Sequence, residues 1–179
     1  MTEPRALKQE RWYDSQHSGG LSAEELEDFL NGPKSDWLLR LACLDDEGWP
    51  FVTPVWFDWD GASFYLVGRK KSGWVRYLKN DPRCAIAVDE PAMPPDGALR
   101  KVLARCTAEV IEGPVVAEGS MWLQVANRMA MRYVGPAGVE ALKPSHGWPR
   151  YLVKLTPVNG KLTTWQGVDW AKRYKDDGR

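Results

Sequence analysis

The chain has 179 residues, enough for one domain whose core needs neither disulfides nor a metal to hold it together. Lysine and arginine total 24, as do aspartate and glutamate, so the net charge is zero and no basic surface for nucleic acid is predicted. No apolar run approaches the ~20 residues that a membrane-spanning helix requires, and residues 1–10 lack the apolar segment of a secretory signal. We therefore expect neither a nucleic-acid partner nor a membrane partner.

The cysteines and histidines give no sign of a disulfide framework or a metal site. Cys43, Cys84 and Cys106 are widely spaced and form no CxxC pair, so they are expected to be buried thiols of a cytoplasmic protein. His17 and His146 lack the HxxE or HxxxH spacing of zinc ligands. Both lie in polar stretches, where a surface position is favoured over an acid–base role.

The N-terminal part of the chain is expected to be a polar arm followed by a capped helix. Residues 1–20 form the arm, and residues 21–179 form the single folded domain. Ser22 and Glu25 have the spacing of a capping box, which predicts a helix over residues 23–30. An Asn-Gly-Pro sequence follows and ends that helix.

The remainder of the chain alternates strands with inserted helices. Apolar patterns predict six antiparallel strands, at residues 37–44, 51–59, 62–68, 83–89, 101–112 and 151–158. Helices are predicted at residues 74–79, from Gly113 to about residue 133, and at residues 137–142, followed by a polar tail. Pro54 lies inside the second strand and marks it as an edge strand or a bulge. Strands joined by hairpins predict a mainly β barrel of the α+β class, of Greek-key or meander type.

A basic turn after the third strand is a candidate phosphate site. Four of its residues are cationic and one carries a hydroxyl, and the cluster leads into a helix: Arg69, Lys70, Lys71, Ser72 and Arg76. A phosphate requires cations and backbone donors close together, which a helix N-terminus supplies. Alone, such a cluster is typical of a solvated loop; after this strand pattern, the phosphate interpretation is favoured.

Four sequence segments together resemble the pyridoxamine 5′-phosphate oxidase-like, FMN-binding split-barrel superfamily. They are LACLDDEGWP at residues 41–50, VTPVWF at 52–57, FYL at 64–66 and RYLKNDPR at 76–83. The resemblance is good over residues 35–112 and loose over 150–170. It implies a six-stranded split barrel that forms a homodimer with two cofactor sites between the subunits. Most branches hold FMN, and others hold the deazaflavin coenzyme, biliverdin or haem.

The resemblance also implies which residues hold the cofactor. The ring would lie beside Thr53, Pro54, Val55 and Trp56, and the phosphate beside Arg69, Lys70, Lys71, Ser72 and the helix that carries Trp74 and Arg76. Trp165 is similar to a tail aromatic that covers the partner's cofactor. Packing roles remain open for both Trp56 and Trp165. Trp74 replaces the Lys or Arg of many FMN-binding members and resembles deazaflavin-using branches.

Three functions remain open at this point. One is a flavin- or deazaflavin-dependent oxidoreductase that transfers hydride between its cofactor and a small unsaturated or planar substrate. Another is a non-catalytic protein that binds or stores a flavin or tetrapyrrole, and the last is a cofactor-free structural dimer. The basic cluster weighs against a cofactor-free dimer. Haem would need an axial His, Cys or Tyr in the pocket, and neither histidine lies in the matching segment, which weighs against haem. No catalytic residue is identified, because in such proteins the cofactor carries the chemistry.

Overall fold

The computed structural model describes residues 8–11, 18–32, 35–90 and 99–167. The helices are α1 Ala23–Asn31, α2 Gly73–Asn80, α3 Met121–Val134 and α4 Pro136–Leu142. The strands are β1 Lys8–Arg11, β2 Ser18–Gly19, β3 Leu39–Leu44, β4 Pro50–Val55, β5 Asp58–Trp59, β6 Phe64–Arg69, β7 Arg83–Asp89, β8 Leu99–Val115, β9 Arg150–Pro157 and β10 Lys161–Gly167.

The strands form one sheet in the order β4-β3-β7-β8-β9-β6-β5, with β10 beside β8 and with β1 and β2 beside β10. All neighbours are antiparallel except β1 and β10. Because β4 ends at Val55 and β5 begins at Asp58, a two-residue link joins the strands at the opposite ends of this order and brings the two edges of the sheet close together. The predicted α+β class, a mainly antiparallel barrel with peripheral helices, is confirmed, with more strands than the six predicted.

The long strand β8 divides the barrel. On one side it pairs with β7; on the other, its first residues pair with β10 and its later residues, from Cys106 to Val115, pair with β9. The register shifts around Glu112, as at a β-bulge that bends a strand. β9 also pairs with β6, so Arg150 at its start lies opposite Arg69 at the end of β6.

Two apolar clusters hold these elements together. The first fills the barrel with the inward residues of the strands, including Leu41, Leu66 and Ile86, and with the apolar face of α1. The second lies outside the barrel, where the fully buried ring of Trp122 in α3 packs against Leu152 of β9. In β6 and β9, a residue therefore faces either the barrel interior or α3, according to its parity along the strand.

The start of α3 corrects the sequence prediction. Gly113-Pro114 does not open the long helix, because β8 continues through both residues to Val115. The helix begins at Met121, where the Glu112 carboxylate accepts hydrogen bonds from the N–H groups of Met121 at 2.8 Å and Trp122 at 2.7 Å. These contacts satisfy helix donors that would otherwise lack a partner, so a residue in the preceding strand fixes where the helix starts.

Both ends of the domain also differ from the prediction. The predicted polar arm, residues 1–20, contributes β1 and β2, and the predicted polar tail contributes β10. In contrast, the predicted capping box is confirmed: the Ser22 hydroxyl accepts from the Glu25 N–H and the Glu25 carboxylate accepts from the Ser22 N–H. None of the helices in the described part of the chain has the length and apolar composition needed to cross a bilayer.

Pro54 resolves the alternative that the sequence left open. β4 stands at the end of the strand order and pairs with β3 in continuous register from Leu39 to Leu44. The proline therefore marks an edge strand and not a bulge, since an edge strand tolerates a missing backbone donor.

Candidate functional site

A cavity of about 410 Å³ lies between the outer face of the barrel and the helices α3 and α4. Residues from β4, β6, α2, α3, α4 and β9 and from the β4–β5 link surround it: Val55, Trp56, Val67, Arg69, Ser72, Trp74, Ala126, Met129, Leu142 and Arg150. Its walls are apolar or aromatic except at one end, where two arginines and a serine lie. This is the composition of a pocket for a ligand with a ring and an anionic group.

The turn between β6 and α2 shapes the polar end. The Ser72 N–H donates to the Arg69 carbonyl at 2.9 Å, and the Arg69 N–H donates to the Ser72 hydroxyl at 3.0 Å. Ser72 is the N-cap residue of α2, but its side chain makes no capping hydrogen bond to the helix. The positive end of the helix dipole therefore lies beside the Arg69 cation, and both favour an anion.

Trp74 reaches the cavity because α2 packs closely against β6. A Cβ atom on Gly68 would lie 3.1 Å from the Trp74 ring and would clash with the Val75 side chain. A glycine at this position therefore permits the close approach of helix and strand. Trp74 is 8% exposed, so its ring is a fixed wall of the cavity.

Trp56 forms the opposite aromatic wall, in the two-residue link between β4 and β5. Its ring stacks on Tyr133 of α3 with 4.8 Å between centroids and 6° between planes. The Tyr133 hydroxyl donates to the Trp37 carbonyl at 2.7 Å, which fixes the stacking partner. Trp56 remains 39% exposed, so part of its surface is free to contact a planar ligand.

Arg150 is a cavity residue that the sequence analysis missed. Its guanidinium lies 5.4 Å from the Trp122 ring centre, and Nη2 donates to the Ser145 hydroxyl at 3.0 Å. Nε is buried and has no hydrogen-bond partner. Burial lowers the pKa of Arg150, and the neighbouring Arg69 cation lowers it further. No local signal marks Arg150, because its proximity to Arg69 arises from the pairing of β6 with β9.

Five of the eleven predicted cofactor residues line the cavity, namely Val55, Trp56, Arg69, Ser72 and Trp74. Arg76 instead forms an ion pair with Asp46, which occupies its guanidinium away from the cavity. Lys70 and Lys71 are exposed on the turn, and the Lys70 N–H donates to the Pro149 carbonyl at 3.3 Å.

The other predicted residues lie on strands away from the cavity lining. Thr53 and Pro54 pair across β4 with Leu41 and Arg40 of β3. Trp165 lies on β10, is 7% exposed and has the Lys101 ammonium 4.7 Å from its ring centre. Because Trp165 is buried within its own chain, it has the packing role that was one of the two alternatives. Its predicted contact with a partner's cofactor stays a prediction. His17 lies outside the described residues, and His146 follows a helical turn beside α4.

The described residues 8–11, 18–32, 35–90 and 99–167 contain no cluster of three or more His, Cys, Asp or Glu side chains that could hold a metal ion. The three cysteines are free and buried. Burial raises the pKa of Cys84 to about 12, so this thiol is protonated at neutral pH and is a poor nucleophile.

A family model described as pyridoxamine 5′-phosphate oxidase matches residues 22–160. The chain belongs to this family. The match extends from α1 into the turn after β9 and includes every residue around the cavity, so the resemblance read from the sequence motifs is confirmed. No curated protein is similar enough to the chain to count as a match.

Solved structures agree with membership of the pyridoxamine 5′-phosphate oxidase family. The conserved hypothetical protein Rv2991 from Mycobacterium tuberculosis is 26% identical with a TM-score of 0.62, over 81% of this chain and 84% of that one. An F420 reductase is 25% identical with a TM-score of 0.55, over 74% and 92%. The haem storage protein HutZ from Vibrio cholerae is 22% identical with a TM-score of 0.54, over 75% and 89%, and shows the fold alone.

Proposed function

We propose that the chain binds a flavin-type cofactor in this cavity and, as an oxidoreductase, transfers hydride between the cofactor and a small unsaturated or planar substrate. The observation that carries the proposal is the convergence of five residues predicted from sequence around one cavity, cationic at one end and aromatic along its walls. The cofactor is FMN, or the deazaflavin coenzyme as the alternative. The 25% identical F420 reductase supports the redox chemistry.

The residues around the cavity fit the chemical groups of a flavin. Arg69 and the N-terminus of α2 would hold the phosphate, where the cation and the helix dipole act on the same charge. Trp56 and Trp74 would contact the flat ring system, since aromatic faces bury such rings with little loss of conformational freedom. Met129 and Leu142 of the helical layer would exclude water from that region.

When bound, the flavin supplies the hydride chemistry, and the protein supplies binding, orientation and electrostatics. No side chain on the cavity wall is a His, Cys or Tyr among the residues that the structure describes. An axial haem ligand is therefore missing from this cavity, which favours a flavin over haem. The absence of an acid or base among these residues is compatible with direct hydride transfer.

A second copy of the chain is part of this proposal. Another cavity, of about 580 Å³, lies on the outer face of β3, β7 and β8, where the small side chains of Ala42, Ala85 and Ala87 leave room for a partner. Val52, which is 61% exposed, lies at its rim. We propose that this face forms the homodimer contact; light scattering of the purified protein would show whether the chain is dimeric. The protein would act in the cytoplasm, where its three buried thiols stay reduced.

Titration of the protein with FMN, and separately with the deazaflavin coenzyme, tests the proposal by quenching of tryptophan fluorescence. We expect micromolar or tighter binding of one of them at one per chain, because Trp56 and Trp74 adjoin the cavity. Adding a reductant and candidate acceptors then separates an oxidoreductase from a protein that only binds the cofactor. No binding of either cofactor would refute the proposal.

A matched pair of variants locates the phosphate. Arg69→Ala removes the cation at the cavity and should weaken cofactor binding about tenfold or more, the order expected for one charge-assisted hydrogen bond. Arg76→Ala, three positions into α2, removes a cation that pairs with Asp46 and should leave the affinity within about twofold. Equal losses in both variants would place the phosphate elsewhere on the turn.

A further inference from the structure

Arg150 has the contacts of a side chain held ready for an anion. Ser145 fixes one of its nitrogens, with Nη2 and the hydroxyl oxygen 3.0 Å apart, and the Trp122 ring lies under the guanidinium. The Ser145 hydroxyl itself donates to the Leu142 carbonyl at 2.8 Å, and Ser145 is buried, with 8% of its surface exposed. The guanidinium therefore has a supported position and is not a mobile surface group.

The surroundings of Arg150 supply no negative charge. No ion pair joins it to a carboxylate in the described part of the chain, and its partner across the strand pair is another arginine, Arg69. Nε is buried without a hydrogen-bond partner. Two neighbouring guanidinium groups repel each other, and a buried donor without a partner costs free energy. An anion between them removes both penalties.

The backbone holds the two arginines on adjacent strands. Arg69 and Arg150 are paired residues of β6 and β9. At the other edge of β9, Gly113 of β8 has φ +106°, and a Cβ there would lie 2.9 Å from Tyr151 Cα. Only glycine adopts this positive φ readily, and any side chain here would clash with the backbone of β9. The bulged part of β8 thus packs directly on the backbone that carries Arg150, so the sheet sets the spacing of the two arginine backbones.

We propose that Arg150 and Arg69 together clamp the phosphate group of the ligand, with Arg150 as the inner cation. This inference rests on the proposed function, and it assigns the deep end of the cavity to a phosphate ester. A phosphomonoester, a phosphodiester and free phosphate share the chemistry that the two guanidinium groups recognise. The ring would then extend from this end toward Trp56.

Comparison of FMN with riboflavin isolates the phosphate, because the two ligands share the same ring. We expect the wild-type protein to bind FMN at least about tenfold more tightly than riboflavin. Arg150→Gln should remove most of that preference while leaving riboflavin affinity unchanged. Arg150→Lys should retain part of it, since an ammonium keeps the charge but loses the planar fork. The control is Arg83→Gln, which removes an exposed arginine paired with Asp81.

Inorganic phosphate gives a second readout that needs no flavin. Phosphate should raise the melting temperature of the wild-type protein above that in chloride of equal ionic strength, and the increase should disappear in Arg150→Gln but persist in Arg83→Gln. Circular dichroism of each variant checks that it folds, and Arg150→Lys serves if the glutamine variant does not.

The outcomes separate the two proposals. If Arg150→Gln binds FMN with the same preference over riboflavin as the wild-type protein does, the role of Arg150 is overturned and the flavin function stays intact. If no flavin or deazaflavin binds, the proposed function fails, and an Arg150-dependent effect of phosphate still supports the anion clamp. A phosphate effect of equal size in the wild type and Arg150→Gln would overturn the clamp.

Discussion

Replacement of Glu90 by glutamine tests whether the ion pair between Glu90 and Arg100 stabilises the connection between the end of β7 and the start of β8. Glu90 Oε1 accepts from Arg100 Nε at 3.0 Å and Nη2 at 2.8 Å, and Oε2 accepts from the Arg100 backbone N–H at 2.7 Å. The side chains are 7% and 27% exposed, respectively. Glutamine has nearly the same shape, so the variant removes the charge with little change in packing.

The expected loss of stability follows from this burial. Removal of one partner from a fully buried pair costs about 3–5 kcal/mol, whereas an exposed pair contributes about 0–1 kcal/mol. Arg100 is only partly buried and keeps a second carboxylate, Asp28, at 3.5 Å, and the glutamine carbonyl still accepts one hydrogen bond. We therefore expect Glu90→Gln to lower the free energy of unfolding by about 2–3 kcal/mol.

The matched control is Glu140→Gln. Glu140 pairs with Lys143 at 2.6 Å, but the two side chains are 67% and 61% exposed, respectively, so its loss should lie within experimental error. Urea unfolding, followed by tryptophan fluorescence at one protein concentration, measures both variants, and an unchanged m-value shows that the same surface unfolds. Equal losses, or a loss below about 1 kcal/mol for Glu90→Gln, would refute the reasoning.

Two further predictions concern the thiols and the aromatic stack. Because burial raises the pKa of Cys84 to about 12, only about one Cys84 thiol in 10⁴ is ionised at pH 8. Ellman's reagent should therefore react slowly with the native protein, whereas after denaturation it should react with three thiols per chain. Rapid reaction of Cys84 in the native protein would contradict its burial. Tyr133→Leu removes the ring that stacks on Trp56 and should weaken cofactor binding about two- to tenfold, whereas Tyr133→Phe keeps the stacked ring and should weaken binding less. Fluorescence titration measures the affinity of both variants. Equal losses of affinity would show that the hydrogen bond to Trp37 matters and the stacking does not.

The elements that the sequence predicted well are those whose signals are local. The capping box of Ser22 and Glu25 spans three residues, and it forms as predicted. In β6, Phe64 and Leu66 face the barrel interior while Tyr65 and Val67 face α3, as strict alternation requires. Such signals involve neighbouring residues of the chain, so no tertiary contact is needed to read them.

The start of α3 shows where local signals fail. The Gly113-Pro114 sequence is typical of a helix start, yet both residues continue a strand. The decisive group is the Glu112 carboxylate, which accepts from the N–H groups of Met121 and Trp122 only because a bulged strand and a loop bring them together. Similarly, β10 lies in a stretch that is polar in composition, yet Leu162 and Trp165 on it are buried.

For the candidate site, the residue types and the two chain segments that carry them could be predicted from the sequence: the strand that contains Pro54 and leads to Trp56, and a basic turn from Arg69 to Ser72. The folded structure was needed to show which members of those segments share a cavity, that Arg76 pairs with Asp46 instead, and that Arg150 joins Arg69. The physical reason is that strand pairing and helix packing set distances between residues remote in sequence. Periodicity and turn chemistry act over a few residues and carry no information about those distances.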